Sequence, residues 1–255
     1  MDSPSHFHPE NRLEALLVRA TSDAGVRPEF YRAFLEAEIL VIGQSDSNKS
    51  GRFAAETNTP LQIMEINIEG RRLIPMFTSL RRLQEYLQEE ASYIQINCRA
   101  LLETVGPEKG LILNPASAYG KEFVPAEVAA LVDGSIFKPV QEHTIPERQE
   151  VLIGTPSEYP EKLINGLCSL FKTNPKVRRA YVAQIQIAES GEPAHLLIAI
   201  DADGDFAALA SECGIVVKET LGPEKFADLV RLQDSGLQDY FQQPSQPFYE
   251  KSQGD

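Results

Sequence analysis

The chain has 255 residues, with 24 Lys and Arg against 37 Asp and Glu and a net charge of −13. Domains usually hold about 100–200 residues, so this length predicts two of them. So acidic a surface repels phosphate backbones, and the basic residues gather only in short pairs (Arg71–Arg72, Arg81–Arg82, Arg178–Arg179), which argues against nucleic acid and anionic membrane as partners.

Residues 1–10 carry no periodicity and read as a flexible tail; with no apolar core they do not resemble a secretory signal. Leu13, Leu16, Leu17 and Ala20 share one helical face, and a second helix with Pro28 in its first turn carries Phe30 and Phe34. A strand over 39–42 follows, then a polar surface loop over 44–60. Met64, Ile66 and Ile68 alternate as a half-buried strand, and Glu69–Gly70 turns the chain into a second strand over 73–77. Thr78 or Ser79 caps the next helix, whose stripe is Leu80, Leu83 and Leu87. A strand over 93–96, a helix over 97–105, a strand over 111–113 and a helix opened by Pro125 complete a mixed α/β domain spanning 11–133.

Residues 134–149 combine Gly, two prolines and mixed charge and read as a linker. The second domain, 150–240, opens with a strand over 151–153. Thr155, Pro156 and Glu158 resemble a capping box and predict a helix whose buried face is Leu163, Ile164, Leu167, Leu170 and Phe171. Strands follow over 180–187 and 196–200, with Ser190–Gly191 as their turn. A helix carrying Phe206, Leu209 and Cys213 and stopped by Gly214 comes next, then a strand near 226–232. The order β-α-β-β-α-β predicts an α+β unit of the ferredoxin-like kind. Residues 241–255 read as a second flexible tail.

Several segments invite a chemical reading. The aspartates of Asp201-Ala-Asp-Gly-Asp205 match the opening of a calcium loop, but Phe206 stands where that loop needs glycine, so helix capping is preferred. The odd, widely spaced Cys98, Cys168 and Cys213 read as buried reduced thiols rather than as disulfides or a metal site. No nucleotide loop, nucleophile elbow or metal motif is present, so no catalytic, metal or cofactor residue is assigned. Six-residue segments, Thr104–Lys109 and Thr220–Lys225, echo one another, each leaving a helix for a strand. Gly120–Pro125 reads as a loop contacting a partner or ligand, or as a turn with an exposed ion pair and a buried Phe123, and the aromatic segment Phe241–Lys251 reads as a docking peptide or as an end whose rings fold back onto the domain.

Ile74–Leu80, Gly120–Pro125, Leu170–Thr173, Asp201–Asp205 and Pro247–Glu250, with the opening helices, resemble the bacterial enhanced serine sensitivity (SseB) family over nearly the whole chain. The resemblance implies N- and C-terminal family domains meeting around 133–150, and no established activity, catalytic residue or cofactor. The resulting expectation is a non-enzymatic cytoplasmic binding or regulatory protein linked to serine tolerance. Thr78, Ser79, Lys121, Glu122, Phe123, Phe248 and Tyr249 would lie at its contact surface. Alternatives are a sensor of a small molecule, an amino acid or nucleotide, and an unrecognised hydrolase. A protein partner and a small-molecule ligand both remain open.

Overall fold

The computed structural model describes residues 7–45, 51–52, 61–138, 151–187, 193–222, 225–242 and 246–251. The chain divides into two compact units, Met1–Ser22 with Glu29–Ile136, and Asp23–Pro28 with Phe137–Asp255.

The first unit runs α1 (Arg12–Ser22), α2 (Arg27–Glu36), β1 (Glu38–Ser45), β2 (Gly51–Arg52), β3 (Leu61–Ile63), β4 (Ile66–Ile68), β5 (Arg71–Phe77), α3 (Leu80–Tyr86), β6 (Tyr93–Asn97), α4 (Cys98–Val105), β7 (Gly110–Leu113), β8 (Lys121–Phe123) and α5 (Pro125–Val132). Its sheet is ordered β2-β6-β1-β5-β7-β8, with β3 on β1 and β4 on β5. Side chains alternate along β1. Leu40 and Ile42 pack with Phe77 and Leu83, while Ile39 and Val41 are also buried. Phe34 of α2 stacks on Phe123 of β8 at 4.6 Å between centroids. The β4–β5 hairpin has the expected two-residue turn, and both Glu69 and Gly70 take positive φ, as a type I′ turn requires.

Four details of this unit differ from expectation. The strand expected through Met64 breaks there into β3 and β4, and Met64 is exposed. Leu80 is exposed rather than part of the α3 stripe, and Leu83 carries that helix's packing on the sheet. Lys121–Phe123 is a strand paired with β7, not a turn. Within the expected 44–60 loop, β1 continues to Ser45 and β2 pairs with β6; the rest of that loop lies outside the described residues.

The second unit runs β9 (Val151–Gly154), α6 (Glu161–Lys172), β10 (Val177–Ile187), β11 (His195–Ala202), α7 (Phe206–Leu221), β12 (Ala227–Arg231), α8 (Gln238–Gln242) and β13 (Tyr249–Glu250). Inward residues of β10, β11 and β12 alternate between two cores. One, with α6 and α7, contains Phe171, Ala180, Ile198, Ile200 and Val216; the other contains Tyr181, Ala183, Ile185, Ala199 and Phe241. Burying each large apolar side chain contributes about 1.5–3 kcal/mol. The 3-10 turn Ala24–Val26 belongs to this unit and lies on α6 so closely that a Cβ on Gly25 would sit 2.3 Å from the Gly166 carbonyl oxygen.

The α+β class and the β-α-β-β-α-β element order are observed, but the strand pairing is not the ferredoxin-like split. β9 pairs antiparallel with β10, β10 antiparallel with β11, and β11 parallel with β12. β9 and β10 thus run in opposite directions, with α6 between them in the chain. Pro156 and Pro160 push the residues before them out of the helical region, and 155–160 is non-helical with a bend at Ser157–Glu158. For the same reason α6 begins at Glu161, and Thr155–Glu158 is not its capping box. Gly214 does not end α7, which continues to Leu221. Burial of Ile215, Val216 and Val217 outweighs the roughly 1 kcal/mol cost of an interior glycine, and Gly222, at φ 82°, ends the helix. Residues 139–149 of the expected linker and the Ser190–Gly191 turn lie outside the described residues. Among the described residues no helix is long and apolar enough to cross a membrane.

Candidate functional site

A cavity of about 820 Å³ opens in the second unit. The non-helical segment Pro156–Pro160 and the first turn of α6 form one wall. Gln184 of β10, the 193–196 entry to β11, Thr220 and Leu221 at the end of α7, and Lys225–Phe226 ahead of β12 form the others. The first wall is tied to β10 by the Ser157 amide, which donates to the Gln184 side-chain oxygen at 3.0 Å. Buried Leu163 lies at its apolar base.

The strand pairing explains how a polar pair comes to the rim. His195 opens β11, and Asp228 lies on the neighbouring parallel β12. The His195 Nε2 lies 3.0 Å from Asp228 Oδ2, its Nδ1 lies 3.3 Å from the Pro193 carbonyl oxygen, and its ring packs on Phe226 at 4.5 Å. Both ring nitrogens thus face acceptors within the protein. The remaining polar lining carries both signs of charge, Glu158 and Glu161 against Lys162 and Lys225. Burial, reinforced by Cys168 and Glu161, raises the pKa of Tyr159, so its phenol stays a neutral donor at physiological pH.

In the first unit, Thr78 and Ser79 belong to a buried polar network instead of a surface. Thr78 and Ser79 hydroxyls donate to Glu14 Oε1 at 2.6 and 2.9 Å, Arg82 donates to both oxygens of Glu14, and the Glu10 amide donates to Oε2 at 2.8 Å. The Glu14 side chain is 0% exposed and that of Arg82 3%. Burial opposes the charge on Glu14, but these hydrogen bonds outweigh it and hold the carboxyl below its ordinary pKa. Asn114, at φ 51°, accepts from the Thr78 amide at 3.0 Å. Arg82 also donates to the His8 carbonyl oxygen at 2.7 Å and stacks on Phe7, so residues 7–10 of the expected tail are part of this packing.

The other expected contact residues are also engaged. Lys121 pairs with Glu127 at 2.9 Å, Glu122 pairs with Arg71, and Phe123 is buried. Phe248 and Tyr249 pack on Phe171. The expected C-terminal tail begins with buried Phe241, and β13 pairs with β10. Within the first unit Thr78 and Ser79 share the Glu14 network, and within the second Phe248 and Tyr249 share the Phe171 ring. Asp205 caps α7, whereas Asp201 accepts from Arg178, Arg179 and Gln233. Burial drives the Cys98 and Cys213 thiols far up in pKa and raises Cys168 less.

The His195–Asp228 pair, 33 residues apart, has no signal in the sequence, because the meeting depends on strand pairing. The Gly106 and Gly222 of the echoed segments both take positive φ at a helix end, at 79° and 82°. That shared backbone requirement is a sufficient reason for glycine to recur.

Residues 13–130 match the family described as SseB protein N-terminal domain, and residues 145–251 match SseB protein C-terminal domain. Protein SseB of Escherichia coli (strain K12) is 33% identical over 249 residues, covering 96% of this chain and 94% of that protein. Protein SseB of Shigella flexneri matches to the same extent. No solved structure matches the chain.

Proposed function

This chain belongs to the SseB family, and from that premise we propose that it is a cytoplasmic binding and regulatory protein, not an enzyme, taking a small charged ligand in the cavity beside His195. The cavity carries the reading. Its volume of about 820 Å³ falls within the roughly 300–1,000 Å³ of small-molecule sites. Its lining offers carboxylates, ammonium groups and two aromatic rings, Tyr159 and Phe226, as a zwitterionic amino acid or a nucleotide would need. The engagement of both His195 ring nitrogens favours an orienting role over proton shuttling. The link to serine tolerance follows from the family resemblance and fits an amino-acid ligand.

Thermal melts against a panel of amino acids and nucleotides test the reading. A ligand at about 100 times its dissociation constant adds roughly 2.7 kcal/mol and raises the melting point. Lys225→Ala and Phe226→Ala should abolish that rise with little change in the unliganded melt. A flat panel contradicts the proposal.

A further inference from the structure

The last described segment, residues 246–251, is bound to its own domain as a peptide would be. Its sheet pairing is minimal: Arg179 faces Glu250 and Ala180 faces Tyr249, both antiparallel, on β10. The Phe248 amide donates to the Ala180 carbonyl oxygen at 2.9 Å and the Lys251 amide to that of Arg178 at 2.8 Å. The side chains supply the rest. Phe248 stacks on Phe171 at 6.3 Å, and Tyr249 meets the same ring edge-on at 5.4 Å while its hydroxyl donates to the Phe171 carbonyl oxygen at 3.2 Å. The Cys168 thiol points at the Phe248 carbonyl oxygen, 3.6 Å away.

Two paired residues make a weak strand, so the affinity of this contact lies in two aromatic anchors seated between the β10 edge and α6. Strand addition for register and side-chain pockets for specificity are the two parts of β-augmentation recognition. β9 covers β10 only at 184–187, so this end of the β10 edge has no other described strand on that side. Arg178 and Arg179, each a little under half exposed, border it and are paired with Asp201, Arg178 also with Asp203.

We infer that the groove between β10 and α6 is a peptide-recognition site for a partner protein's extended segment of the Pro-aromatic-aromatic-acid type, and that residues 247–251 are its resident competitor. A segment on the same chain competes at an effective concentration of the order of millimolar. A partner segment therefore gains access when the intramolecular copy is weakened. The groove and the cavity use different residues, so this inference stands apart from the small-ligand reading.

The test uses the full chain and a fluorescent peptide of residues 246–251, followed by anisotropy. Phe248→Ala/Tyr249→Ala vacates the groove and should bind the peptide saturably, at least about tenfold more tightly than the parent chain, which the tethered copy occupies. A peptide with alanine at both aromatic positions should not bind. Lys251→Pro deletes one backbone donor, spares both rings, and should give uptake between the other two; it also carries the test should the double variant not fold. Equal binding by all three proteins, or none by a variant with native circular dichroism, overturns the inference. So does a concentration-dependent dimer of the parent chain without peptide uptake by the variants, since that makes a second copy the occupant.

Discussion

Removing Arg82 should be the most damaging single polar change in the first unit. Its guanidinium makes two bonds to Glu14, at 3.3 and 3.2 Å, two to Glu85, and one to the His8 carbonyl oxygen. Arg82→Met keeps much of the stem volume but strands the Glu14 carboxylate in a site where it is 0% exposed. Breaking a buried pair from one side costs about 3–5 kcal/mol. Thr78, Ser79 and the Glu10 amide still donate to Glu14, which places the expected loss near the lower end, about 3 kcal/mol. For a unit of this size that lowers the melting temperature by roughly 10 °C. Glu14→Gln should cost less, because an amide tolerates burial without a counter-charge, and the double variant should cost clearly less than the sum of the two. The assay is urea unfolding of the full chain, with each unit followed by its own probe because two units need not unfold together. Additive costs, or an Arg82→Met loss under about 1 kcal/mol, would refute the claim that this pair is energetically coupled. The pH dependence has a definite sign. Glu14 titrates lower in the folded than in the unfolded chain, so its contribution is complete above the ordinary carboxylate pKa and is lost as pH falls through the folded value.

Other outcomes follow from local geometry. Gly25→Ala should destabilise the second unit by about 1–3 kcal/mol in denaturant melts, because its new methyl meets the backbone of Gly166 and Leu170. Gly166→Ala should cost less, since its methyl chiefly meets the movable Val216 side chain and gains roughly 1 kcal/mol of helix propensity. In thiol labelling of the native chain, Cys98 and Cys213 should react only on unfolding and Cys168 should react first, as its partial exposure and smaller upward shift require. Asp201→Asn should weaken the second unit by about 1–3 kcal/mol at neutral pH, by removing the acceptor shared by Arg178, Arg179 and Gln233. The difference from the parent chain should shrink in acid, because Asp201 too titrates below its ordinary value when folded.

What the sequence reveals here is mostly what is local. The Leu13–Ala20 stripe, the Ser79 cap and the Glu69–Gly70 hairpin depend on neighbours a few residues away, and each is found in the structure. Capping chemistry misled at Thr155, where two prolines override the motif, and at Gly214, where burial overrides propensity. Sheet order was the larger failure. An identical run of elements permits split or consecutive pairing, and the choice rests on whether the chain turns back before α6. The meeting of His195 with Asp228 follows from that long-range pairing and that of Glu14 with Arg82 from α1 and α3 coming together, and neither leaves a short motif behind. The aromatic segment at 248–249 is legible as an end whose rings can fold back onto the domain, but the β10 edge as the place where it pairs is not.

The central claim is that the second-unit cavity binds a small charged ligand. Its most direct measurement is an amide chemical-shift map of the full chain titrated with the amino acid or nucleotide that shifts the melt most. The account predicts saturable perturbations concentrated at Ser157–Leu163, His195–Leu196 and Thr220–Phe226, absent in Lys225→Ala. Saturable shifts centred elsewhere, or none at ligand concentrations that stabilise the fold, would contradict it.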